Sequence, residues 1–148
     1  MEKSIEALLE EVQACAERRQ QLLNELLRDH GNNPLGIELV NSRCQYVTVL
    51  EEPGKPGAAR LLYFDEQGLS GHSEYASPVA ALEEALRMGY RERAPGSLDR
   101  LSATPAWHHG TQVLELWHAV HNGLMTIEEA RSRKSALDLA LNGEQTCA

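Results

Sequence analysis

The strongest constraint in this sequence lies at its start, where apolar side chains recur at helical intervals. Ile5, Leu8, Leu9, Val12, Cys15, Ala16, Leu22, Leu23, Leu26 and Leu27 fall three or four residues apart, the spacing that lines one face of an α-helix. Ser4 can cap that helix and Glu6 suits its first turn. Gly31 suits the position just past its end, and Asn32-Asn33-Pro34 stops it. At 1.5 Å per residue the helix would be about 40 Å long, which is long for a chain of 148 residues. A face this apolar must be covered. The stripe approximates a heptad, with Ile5, Val12 and Leu26 at one seam position and Leu8, Cys15 and Leu22 at the other. Arg19 interrupts it. Two fates are open: the stripe covers the chain's own sheet, or it pairs with another molecule. Both hold if the double-leucine end packs at home and the narrow end projects. The candidate interaction residues are therefore Ile5, Leu8, Leu9, Val12, Arg19, Leu22 and Leu26.

The remainder reads as a small sheet followed by helices. Residues 36–41, 43–50, 60–65 and 72–75 are strand candidates, and short connections favour an antiparallel meander. Pro53-Gly54 and Pro56-Gly57 mark a connection. The continuous run Leu61 to Phe64 suggests a strand covered on both faces. Ser77-Pro78 caps one helix. A second starts either at Thr104-Pro105 or after Gly110, with Val113, Leu116, Trp117, Val120 and Leu124 as its core face. Thr126 and Glu129 form a capping box for a third, lined by Ile127, Ala130, Leu137 and Leu141 and ended by Asn142-Gly143. The expected fold class is α+β: a long N-terminal helix, an antiparallel sheet of three or four strands, then three helices. Residues 1–142 are expected to form one domain and 143–148 a flexible tail.

With 14 basic and 22 acidic side chains the formal charge is −8, which opposes attraction to nucleic-acid phosphates or anionic lipid and suits a basic protein partner. No apolar run approaches the roughly 18 residues of a membrane span. Cys15, Cys44 and Cys147 lack metal-ligand spacing. The first two read as small core side chains and the third as an exposed thiol in the tail. A reducing, cytoplasmic setting is the expectation.

Leu114, Gly123, Leu124, Thr126, Glu128, Glu129, Lys134 and Leu137 make a pattern of helix, glycine turn, Thr-x-x-Glu start, lysine and leucine. Over residues 114–141 this resembles the short C-terminal helical hairpin called SHOCT, although Ala130 stands where that family usually has an aromatic side chain. The resemblance implies an oligomerisation or interaction element without catalytic residues.

Candidate chemistry is sparse. His108, His109, His118 and His121 cluster in sequence, and Glu115-x-x-His118 has the ligand spacing of di-iron bundles. Those bundles need the motif twice, plus two more glutamates, and only one copy is found. Glu115, His118 and His121 are the candidate metal ligands, for zinc or iron, of an alternative reading as a metal protein. Gly68-Leu69-Ser70-Gly71-His72 has a histidine where a nucleophile elbow needs glycine. Lys55 is followed by Pro56, not by the Ser or Thr of a phosphate loop. Arg131, Arg133 and Lys134 form a basic patch too small, at this net charge, to favour nucleic acid. The leading expectation is a cofactor-free adaptor or regulator, bacterial in style, that binds another protein or forms a homodimer through its first helix.

Overall fold

The computed structural model describes residues 4–146. Helix α1 spans Ile5–Asp29, and the Ser4 hydroxyl accepts the Ala7 N–H at its start. Five strands follow the order β4-β3-β2-β1-β5 in one antiparallel sheet: β1 Glu38–Val40, β2 Tyr46–Glu51, β3 Ala59–Asp65, β4 Gly68–Tyr75 and β5 Glu92–Arg93. Helices α2 Pro78–Arg87, α3 Ser97–Ser102, α4 Pro105–His121 and α5 Ile127–Thr146 complete the chain. The α+β class is as expected. The sheet has one strand more than expected, because Arg93 and Glu92 pair with Leu39 and Val40 on the outer side of β1. Two residues are too few to carry an alternating pattern.

The described residues gather into two compact units. The first comprises residues up to Leu62 together with His72–Pro95. Here α2 packs on β2 and α1 packs on α2. Ile37, Leu39, Val47, Val49, Ala59 and Leu61 from the strands are buried, as are Ala81, Leu82, Ala85 and Leu86 from α2 and Leu23 and Leu26 from α1. Arg93 reaches Asp29 at 2.6 Å, tying the last strand to the end of α1. Cys44 is not in this core. It is exposed in the β1–β2 turn with φ +57°, where the Asn41 side chain accepts the Arg43 and Gln45 N–H groups.

The second unit holds Tyr63–Gly71, the tip of the β3–β4 hairpin, and the residues from Gly96 onward. Thr104 caps α4 by accepting the Trp107 N–H, so the helix starts at the first of its two candidate sites. That start adds Trp107, which is buried with its ring 6.1 Å from Phe64 at 62°, an edge-on packing. Of the expected core face, Val113, Leu116 and Val120 are half-buried, whereas Trp117 and Leu124 are exposed, and the buried anchor of α4 is Trp107. Asn122-Gly123 breaks the chain with φ +74° at the glycine, and α5 packs back on α4. Helix α5 runs through Gly143, against the expected stop there, since a glycine ends a helix only where its left-handed conformation is used and Gly143 is not among the positive-φ glycines. The expected tail is therefore helical to Thr146, and Cys147 lies outside the described residues.

Gly110 explains how the hairpin tip meets α4. A Cβ there would stand 2.7 Å from the Gln67 carbonyl carbon and closer still to its oxygen. Alanine ordinarily favours a helix over glycine by about 1 kcal/mol. Gly110→Ala should nevertheless destabilise the second unit by about 1–3 kcal/mol, the usual range for forced overpacking. Both tryptophans, Trp107 and Trp117, belong to this unit, so a lower urea midpoint by tryptophan fluorescence would register the effect.

Candidate interaction surface on the first helix

The apolar face of α1 is continuous, but its cover is not. At 100° per residue Ile5, Leu8, Leu9 and Val12 share the face that carries Leu23 and Leu26 further along. Leu26 is 0% exposed, while Ile5 is 77%, Leu8 46%, Leu9 62% and Val12 67% exposed. Between these ends, Ala14, Cys15, Ala16, Arg19 and Leu22 are half-buried. Of the seven expected interaction residues, four are therefore open to solvent, Arg19 and Leu22 are half-covered, and Leu26 is not available. It belongs to the core of the first unit, because the wide leucine end of the stripe is the part that meets α2.

Beside the covered end lies a groove of about 320 Å³ between α1 and α2. Ala16, Leu23, Ala80 and Leu86 are its apolar lining, the rest of it is polar or charged from both helices, and Arg87 donates to Glu84 at 2.9 Å. The Cys15 thiol is held below its ordinary range, chiefly by a hydrogen bond from Arg91, whose guanidinium nitrogen is 3.9 Å from the sulfur.

Among the described residues no helix is long and apolar enough to cross a membrane. No three His, Cys, Asp or Glu side chains among them converge as a metal ion would require. Glu115, His118 and His121 all lie exposed on α4. Ser70 and His72 are exposed on β4.

On α4, His109 engages a carboxylate that lay outside the expected set. His109 Nε2 lies 2.6 Å from Asp138 Oδ1, and Lys134 Nζ is 2.8 Å from Asp138 Oδ2, so one α5 carboxylate bridges both helices of the hairpin. The spacing of Lys134 and Asp138, four apart on a helix, was a signal for the second contact alone. The His109 contact spans 29 positions and needs the fold. A His–Asp pair orients an imidazole, but nucleophilic catalysis also needs a hydroxyl or thiol bonded to the other ring nitrogen. Among the described residues none is.

In comparisons with known proteins, the chain matches no family model, no curated protein and no solved structure. Residues 114–141 form a helical hairpin with a Gly123 turn, in which Thr126 accepts the Glu129 N–H.

Two outcomes test this layout. Leu26→Ala should cost about 2–5 kcal/mol of stability, as buried leucine truncations do, whereas Leu9→Ala should stay within about 0.5 kcal/mol; urea titrations followed by circular dichroism measure both. Asp138 is held below the usual carboxylate range by Lys134 first and His109 second. Its folded pKa being the lower, its contribution is complete above the unfolded carboxylate value and is lost as pH falls toward and through the folded one. Between about pH 4 and pH 2 the fluorescence-detected urea midpoint of the native chain should therefore fall more steeply than that of Asp138→Asn.

Proposed function

We propose that this chain is a protein-interaction module of adaptor or inhibitor type, and that it docks through the first turns of α1. One observation carries the reading: Ile5, Leu8, Leu9 and Val12 form an i, i+3, i+4, i+7 stripe that is largely open to solvent, on a helix whose far end uses the same face as core. Single exposed leucines are ordinary, but a contiguous helical stripe is the form in which amphipathic helices enter a partner's groove or pair with another helix. The side chains around the stripe add to the case. Glu6, Glu10, Glu11 and Glu17 are the only charged residues between positions 5 and 17. An apolar seam bordered by carboxylates suits a partner whose apolar groove has a basic rim.

The test is affinity capture from the native host with the folded chain as bait, followed by mass spectrometry. The native chain and Leu9→Asp are compared, circular dichroism having shown both to be folded. The expected result is a protein, this chain itself included, that the native bait retains and the variant loses. Identical retained sets would overturn the reading.

A further inference from the structure

We infer that the occupant of the stripe is a second copy of this chain, whose first helix lies antiparallel to it. The inference rests on the interaction reading above and names its partner. Three observations on α1 lead there.

The first is charge. Between residues 5 and 17 the charged side chains are all acidic, whereas from 18 to 28 they are Arg18, Arg19 and Arg28 against Glu25. A parallel pair would set acidic half on acidic half. An antiparallel pair sets the acidic half of each copy along the basic middle of the other. With seam positions of one copy facing the alternate seam positions of the other, Val12 lies opposite the partner copy's position 15, Ile5 opposite position 22, and Glu11 beside position 18. Those positions are Cys15, Leu22 and Arg18.

The second is shape. In this register the two large exposed side chains nearest the N-terminus, Ile5 and Leu8, run toward the α1–α2 groove of the facing copy. That groove has small Ala16 and Ala80 in its wall and a volume of about 320 Å³. A dry cavity of about 150 Å³ already holds a benzene ring, so there is room for an aliphatic side chain. Half-buried Cys15 and Leu22 are covered by the same contact. The third is Arg19, which sits in the seam yet is only half-covered. Its stem can lie along the partner copy's Leu8 while the guanidinium reaches the acidic flank.

Four side chains alone fall short of the roughly 800 Å² per partner of a standard interface. The half-buried middle of α1 and the groove add to the contact, and an interface this limited suits a reversible dimer rather than a permanent one.

Sedimentation equilibrium of the purified full chain, from about 1 µM to 1 mM, tests this. The expected result is a shift from one to two chain masses. Leu9→Asp, which sets a carboxylate at the edge of the seam where an apolar side chain was covered, should raise Kd by about tenfold or more. Glu11→Arg and Arg18→Glu should each weaken the dimer by about threefold to tenfold, the two symmetric pairs being exposed. The double variant should regain most of the loss. A single chain mass at every concentration would overturn the inference. So would a dimer indifferent to Leu9→Asp, or one that Glu11→Arg tightens, which is the behaviour of a parallel pair. If the chain stays monomeric while host capture remains sensitive to Leu9→Asp, self-pairing fails and the interaction reading stands; if capture is insensitive too, both fail.

Discussion

The structure turns on a mismatch of lengths between two packed helices. Helix α1 has 25 residues and is about 37 Å long, whereas α2, on which it lies, has 10 and is about 15 Å long. Whatever angle they cross at, α2 can cover less than half of α1. Burying an aliphatic side chain contributes about 1.5–3 kcal/mol relative to leaving it in water. Leu23 and Leu26 collect that contribution inside the first unit. The turns that carry Ile5, Leu8, Leu9 and Val12 do not. A helix that served only to roof α2 would need no apolar residue before Ala14, and alanine or glutamate would serve its stability as well at the exposed sites. The apolar face continues past its cover, and that is the property from which a functional reading starts.

The second unit is held differently. Among the described residues its buried apolar side chains are few: Phe64, Leu101, Trp107 and Ala130. The deficit is met by close approach and charge. The Gln67 carbonyl rests on the backbone of α4 at Gly110, Trp107 packs edge-on against Phe64, and Asp138 joins α5 to His109. Each of these contacts depends on one residue type at one position, in contrast with the first unit, where the strands and α2 bury many aliphatic groups and no single one decides the packing.

What the sequence made legible follows the same division. Elements marked by local chemistry were readable: Ser4, Ser77, Thr104 and Thr126 do cap helices, and Gly123 does turn the chain. The apolar stripe of α1 was readable because period 3.6 over seven turns has no competing explanation. Strand β5 was not, since two charged residues carry no pattern and their pairing is decided by the free edge of β1. The face of α4 was readable in part: Val113, Leu116 and Val120 are half-covered, but Trp117 is exposed and the buried anchor is Trp107, which has Phe64 to meet. Asp138 escaped notice for a similar reason. A lone aspartate on a polar helix announces nothing until a hairpin brings His109 to it. The stripe's division into covered and uncovered halves was foreshadowed by the pairs Leu22-Leu23 and Leu26-Leu27, but which leucines would be lost to the core depended on the length of α2.

In the proposed dimer Arg19 would have a role that the isolated chain does not supply. A charged side chain in an apolar seam costs stability wherever the seam is buried, and the best-attested return on that cost is choice of register and partner orientation. In the folded chain it lies half-covered at the junction between the stripe's two halves, at the lip of the groove. A leucine there would extend the apolar face without interruption and let a facing helix slide along it. An arginine stops that slide, because only an alignment that offers it a carboxylate avoids an unpaired buried charge. In the proposed antiparallel pair the acidic first turns of the facing copy would supply that carboxylate, so the residue that interrupts the stripe would also set its direction.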